Sequence, residues 1–142
     1  MKLPDANLLL YAYDSLSPFH EQARTWFERL MSGSEPVGFS WLVLIAFIRL
    51  STRPRAFESP LAVRDALDFV EEWLSQPCAF VAEPTDRHLA VLRGMLEPLG
   101  TAGNLTNDAL LAALAIEYGG EVASADADFS RFPGLRWSNP LA

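Results

Sequence analysis

Cysteine, histidine and lysine are scarce in this chain of 142 residues, and each scarcity removes a class of protein. A single cysteine, Cys78, can build neither a disulfide framework nor a cysteine-rich zinc site. Its neighbours Ala79-Phe80-Val81 make it a buried small hydrophobe in a strand. Of the two histidines, His20 has no second metal-type ligand beside it and reads as solvent-facing, while His88 is assigned to surface or packing, as are Trp73 and Trp137. The only lysine is Lys2, so a phosphotransfer receiver domain, which needs a lysine late in the chain, fails on inspection. No run of 18 apolar residues exists, and the start of the chain lacks the basic, apolar and small-residue plan of a signal peptide. The expectation is a cytoplasmic protein with no membrane segment. No repeat, linker or low-complexity tract is visible, so residues 1–142 read as a single domain. The net charge of −7 excludes non-specific nucleic-acid binding through a broadly basic surface, although it leaves room for a nucleic-acid enzyme with a local basic patch.

What the chain does have is acid in unusual places. Asn107-Asp108 opens a stretch, Ala109 to Ile116, in which every residue is apolar. Alanine and leucine make it a strong helix former, Thr106 or Asn107 suits the N-cap, and a helix with no polar face is buried on nearly all sides. Gly119-Gly120 ends it, and Glu121 to Ser124 reads as a short strand that delivers Asp126 and Asp128 at its carboxyl end. The segment Met1 to Pro4 is another very short strand, running through Asp5 into an apolar helix. In open α/β sheets, ligands bind outside the carboxyl ends of strands where the strand order reverses. Carboxylates that converge there repel one another unless a cation sits among them, and that points to a hard divalent metal.

Between these stretches, Ser17-Pro18 caps a helix over roughly Phe19 to Met31, with Phe19, Ala23, Trp26, Phe27 and Leu30 on its inner face. Val37-Gly38-Phe39 is a second strand, and Ser40 caps an apolar helix from Trp41 to Arg53. Arg49 and Arg53 lie one helical turn apart, with Arg55 following. They are either cations favourably placed at a helix C-terminus or a phosphate-gripping cluster. Ser59-Pro60 starts an amphipathic helix to Leu74 with Ala62, Ala66, Phe69, Val70 and Trp73 inward. Cys78 to Val81 is a third strand. Glu83-Pro84-Thr85-Asp86 opens a helix that turns Leu89, Val91, Leu92 and Met95 to the core, and Leu99 to Asn104 is a loop. Leu135-Arg136-Trp137 is the last strand. Strands separated by helical crossovers predict an α/β fold with a parallel sheet between two helical layers.

Four stretches taken together carry a resemblance: Leu3-Pro4-Asp5-Ala6-Asn7, Trp41 through Arg55, Asn107-Asp108-Ala109, and Ser124-Ala125-Asp126-Ala127-Asp128-Phe129. In order and spacing the chain resembles PIN-domain proteins, specifically VapC-type toxins of bacterial toxin–antitoxin pairs. The resemblance implies a five-stranded, mainly parallel sheet, metal-dependent endoribonuclease activity, a cognate VapB-type antitoxin and a homodimer. It assigns Asp5, Asp108 and Asp126 as metal-binding carboxylates, Ser124 as a hydroxyl beside the last of them, and Asp128 as a further acidic position. One departure stands out: the family usually carries a glutamate about where Ala46 stands. Glu117, nine positions after Asp108, falls on the opposite face of the same helix and is a poor substitute.

The implied chemistry is hydrolysis of RNA by water activated at Mg²⁺, with Mn²⁺ as substitute, held by Asp5, Asp108 and Asp126. Asp128 positions a second ion or orients a ligand, Ser124 and Asn104 hydrogen-bond a ligand carboxylate or the water, and Arg49, Arg53 and Arg55 hold flanking phosphates. Each acid also has a plain structural role open to it, as a helix cap or turn residue. The alternative function is a degenerate PIN domain that binds RNA or antitoxin without cutting, because Ala46 replaces the acid.

Overall fold

The strands are short because each apolar run is short. In the computed structural model, which describes residues 1–54 and 60–142, β1 is Lys2–Pro4, β2 Val37–Phe39, β3 Ala79–Val81, β4 Glu121–Ala123 and β5 Trp137–Ser138. All pairings are parallel, in the order β3-β2-β1-β4-β5. The helices are α1 (Ala6–Tyr13), α2 (His20–Ser32), α3 (Trp41–Ser51), α4 (Val63–Ser75), α5 (His88–Leu96) and α6 (Thr106–Tyr118). Helices α1 to α4 pack among themselves, whereas α5 packs on α6. This is the expected α/β fold with a helical layer on each side of the sheet. From β1 the chain steps outward through β2 to β3, then returns to lay β4 on the other flank of β1. The order therefore reverses between β1 and β4, and the carboxyl ends of those two strands open onto one crevice.

The core is built by the helices that sequence made most apolar. Phe39, Phe47 and Phe129 are fully buried, and Trp73 sits among Phe27, Phe39, Phe47 and Phe69 with ring centroids 4.7–6.2 Å away. In α6 every residue from Leu111 to Ala115 is buried. Gly119 closes α6 in the left-handed conformation (φ 68°), and Gly120 lies so close to Leu3 that a Cβ would meet its Cδ1 at 2.8 Å.

Several boundaries move for local reasons. Ser17 closes a turn ahead of α2, accepting the Phe19 N–H at 3.1 Å, so Phe19 stays outside the helix, leans on Tyr11 and is half-exposed. The Ser59 cap lies outside the described residues. The Leu61 N–H donates to the Ser51 carbonyl, which keeps the chain extended through Ala62, so α4 begins at Val63 and Ala62 faces solvent. On α5 the inward positions are His88, Leu92 and Met95, one helical face that leaves Leu89 69% exposed. Leu99 to Asn104 is not an open loop, since 3-10 turns occupy Glu97–Leu99 and Gly103–Leu105. Thr106 does not cap α6; its hydroxyl donates back to the Gly103 carbonyl at 2.9 Å. Strand β5 sits at Trp137–Ser138 because β4 sets its register, pairing Val122 with Trp137 and Ala123 with Ser138. Neither histidine is free in solvent: His20 Nδ1 lies 3.0 Å from the Tyr11 carbonyl, and His88 Nδ1 lies 2.6 Å from Glu117 Oε2. Among the described residues, no helix is long and apolar enough to cross a membrane.

Candidate metal centre

Three separate chain segments deliver carboxylates to the crevice between β1 and β4. Asp5 ends β1 and caps α1; its Oδ1 accepts the Ala6 N–H at 2.8 Å. Asp108 stands in the first turn of α6, where the helix dipole favours negative charge. Asp126 follows β4 and caps the short 3-10 helix Ala127–Arg131, its Oδ1 accepting the Asp128 N–H at 2.9 Å. One oxygen each from Asp108, Asp126 and Asp128 all lie within 4.8 Å of one another. Asp128, the least secure of the assigned acids, is thus inside the tight group, while Asp5 stands at its edge.

Ser124 joins Asp5 to the others. It is fully buried, donates to Asp5 Oδ2 at 2.7 Å and accepts the Asp126 N–H at 3.0 Å. The Asn7 side chain donates to the Ser124 hydroxyl at 3.2 Å and accepts the Ala125 N–H at 3.4 Å. Trp137 donates its indole N–H to the Ser124 carbonyl at 3.0 Å. Asn7 was legible only as part of a motif; its partners lie more than a hundred residues away. Asn104 is exposed in the turn before α6, and no hydrogen bond among the described residues ties it to the acids.

The acids crowd without relief. Burial, followed by repulsion from Asp5, Asp126 and Asp128, pushes the Asp108 carboxyl up to about 6 from 3.8. Burial also raises the Asp5 carboxyl, against the hydrogen bonds from Ser124 and Ala6, with Asp126 adding to the rise. Among the described residues, no Lys, Arg or His side chain forms an ion pair with any of the four. Glu117 is no substitute, being buried at the far end of α6 against Thr85 and His88. A cleft of about 190 Å³ adjoins the acids. Asp5, Asp108 and Asn107 line it, with Leu42, Ile45, Ala46 and Arg49 of α3 as the facing wall. Arg49 therefore reaches the site, Arg53 is exposed beyond the end of α3, and Arg55 lies outside the described residues. Ala46 puts a methyl group on the wall where an acid would have faced Asp5 and Asp108.

The PIN-domain family model matches residues 2–135. The chain belongs to the PIN-domain family. Among PIN relatives, Ribonuclease VapC37 of Mycobacterium tuberculosis is 45% identical over 142 residues, covering 100% of this chain and 99% of that protein. Ribonuclease VapC33 of the same species is 43% identical over 141 residues, with 99% of each covered. Among solved PIN folds, VapBC2 from Rickettsia felis, bound to a DNA fragment from their promoter, superposes with a TM-score of 0.69 at 19% identity over 97% of both chains. Mycobacterium tuberculosis VapC20, described as a sarcin-ricin loop cleaving toxin, gives 0.65 at 20% identity over 96% of this chain and 99% of that one.

The PIN family implies a divalent cation, and the donor set fits one. Every candidate donor is a carboxylate oxygen, with no imidazole or thiolate among the grouped ligands, which suits Mg²⁺ or Mn²⁺ better than Zn²⁺. Asp108 and Asp126, with Asp5 and Asp128 beside them, would hold the ion, and their mutual repulsion is the strain that a cation removes.

Proposed function

We propose that the protein is the ribonuclease toxin of a toxin–antitoxin pair, hydrolysing RNA phosphodiester bonds with a divalent cation held at Asp5, Asp108, Asp126 and Asp128. The observation that carries this reading is the group of acids that form no ion pair among the described residues, at the strand-order reversal and beside a cleft walled by Arg49. A bound Mg²⁺ or Mn²⁺ would offset negative charge on the phosphate and lower the pKa of a water. The chain's own residues do the rest. Asp5 is held rigid by the Ala6 N–H and the Ser124 hydroxyl, so its remaining lone pairs face the crevice. Arg49 binds a phosphate oxygen through its guanidinium, the one planar donor on the α3 wall. Leu42, Ile45 and Ala46 give that side of the cleft an apolar lining.

Relatives bear the ribonuclease name and structural neighbours are VapBC complexes, which support a VapB-type antitoxin as partner and RNA as substrate. A homodimer and a cytoplasmic location complete the proposal. The test is incubation of purified, antitoxin-free protein with total bacterial RNA in Mg²⁺, Mn²⁺ or EDTA, beside Asp5→Ala and Asp108→Asn. Discrete fragments are expected with metal, absent in EDTA and reduced at least about a hundredfold in both variants. Fragments that persist in EDTA overturn the reading. The methyl group of Ala46 on the cleft wall favours a second reading, a PIN domain that binds without cutting. Silence from wild-type protein combined with cleavage by Ala46→Glu establishes it.

A further inference from the structure

The Ser124 hydroxyl has one hydrogen to donate and two lone pairs to receive. Both receiving positions are taken, by the Asp126 backbone N–H at 3.0 Å and the Asn7 amide N–H at 3.2 Å. The orientation of the Asn7 amide follows from its other end, where Oδ1 faces the Ala125 N–H at 3.4 Å and so must be oxygen. With two donors pointing at it, the hydroxyl can turn its hydrogen only toward Asp5 Oδ2 at 2.7 Å. Ser124 is fully buried, so no bulk water competes for that arrangement. Asn7 sits in the first turn of α1, the helix that Asp5 caps, while Ser124 follows β4. The amide thus bolts the end of β4 to the start of α1 across the switch point.

We infer that Asn7 is a positioning residue for the carboxylate site: it fixes the direction of the Ser124 proton and, through it, the orientation of Asp5 toward a bound divalent cation. This rests on the reading of the acids as a metal site but not on RNA being the substrate. Asn7 touches none of the grouped ligand oxygens, so its influence passes through Ser124, and removing Ser124 must silence it.

The test measures Mn²⁺ affinity by the electron paramagnetic resonance of the free ion, at neutral pH. The proteins are wild type, Asn7→Ala, Ser124→Ala and the double variant, each melted in EDTA to confirm folding. Asn7→Ala is expected to weaken Mn²⁺ binding about tenfold, as loss of partners behind a ligand commonly does. In the Ser124→Ala background the same change is expected to cost less than about twofold. Equal losses in both backgrounds, or undiminished affinity in Asn7→Ala, overturn the inference. If Asn7→Ala does not fold, Asn7→Leu, of the same branched shape but without the hydrogen-bonding groups, replaces it. Failure of both to fold makes Asn7 a fold residue and also overturns the inference. Cleavage of RNA by the same samples separates the two readings. Coupled Mn²⁺ losses without any cleavage leave the inference standing and remove the ribonuclease, whereas cleavage with unchanged Mn²⁺ affinity in Asn7→Ala does the reverse.

Discussion

The two ends of α6 carry acids in opposite circumstances. Asp108, in the first turn, meets three other carboxylates and, among the described residues, no ion-pair partner, and its carboxyl rises to about 6. Glu117, near the last turn, is buried where Asp108 is half-buried, and burial alone would push it up. Yet it accepts from the Thr85 N–H at 2.9 Å, the Thr85 hydroxyl at 2.6 Å and His88 at 2.6 Å, and these outweigh burial and hold it below its ordinary value. Arg87 adds a bond from its guanidinium to the Glu117 carbonyl at 2.8 Å, on a helix end that favours cations. The lesson is that burial does not make a site. A buried carboxylate whose lone pairs are filled by the protein is a fastening; one whose lone pairs are left facing other acids awaits a ligand.

The largest test of this contrast is Glu117→Ala. It strands His88 and the Thr85 donors and is expected to lower stability by about 3 kcal/mol in urea denaturation, with the Mn²⁺ affinity of the folded fraction unchanged. A loss of Mn²⁺ affinity would mean that the two ends of the helix are not independent. Next comes acid. Because Asp108 must shed its proton to bind a cation, Mn²⁺ affinity measured by titration calorimetry is expected to fall about tenfold between pH 7.5 and pH 5. A flat profile would place the cation away from Asp108. The smallest effect belongs to the metal-free protein. Folded Asp108 keeps its proton to about 6 while the unfolded chain loses it near 3.8, so the folded state binds more protons between these values. Stability in EDTA therefore declines as pH rises through that window. Asp108→Asn, which removes the repelled charge, is expected to raise the melting temperature in EDTA at pH 7.5 by about 3 °C. The same variant should abolish the rise that Mn²⁺ gives the wild type. A lower melting temperature in EDTA would show that Asp108 is satisfied rather than strained.

The acids were legible in sequence because each follows or opens an apolar segment whose direction is local information. Asp5 leaves a three-residue strand, Asp108 enters an all-apolar helix, and Asp126 follows a strand fenced by Gly119-Gly120. Ser124 was legible as a hydroxyl beside the ligand carboxylates, but its link to Asn7 was not, since the two meet across 117 residues and nothing in either neighbourhood announces the other. The same blindness to distant partners misread His20 as solvent-facing and left His88, assigned to surface or packing, without its partner. His20 finds a carbonyl on α1 and His88 an acid on α6, so residues that look like surface are tied down. Asn104 illustrates the converse, a polar residue close in sequence to Asp108 that the 3-10 turn directs into solvent. Strand β5 slid along because its register is dictated by β4 rather than by its own residues.

The separation of 119 residues between Asp5 and Ser124 also sets a clock on the ribosome. At ordinary elongation rates a nascent chain carries Asp5 for on the order of ten seconds before Ser124 is made. Throughout that interval β1 has β2 on one flank and an empty edge on the other, and the acids have nothing to converge upon. The carboxylate site is thereby assembled only once β4 and Ser124 have been made, and no shorter nascent chain carries it.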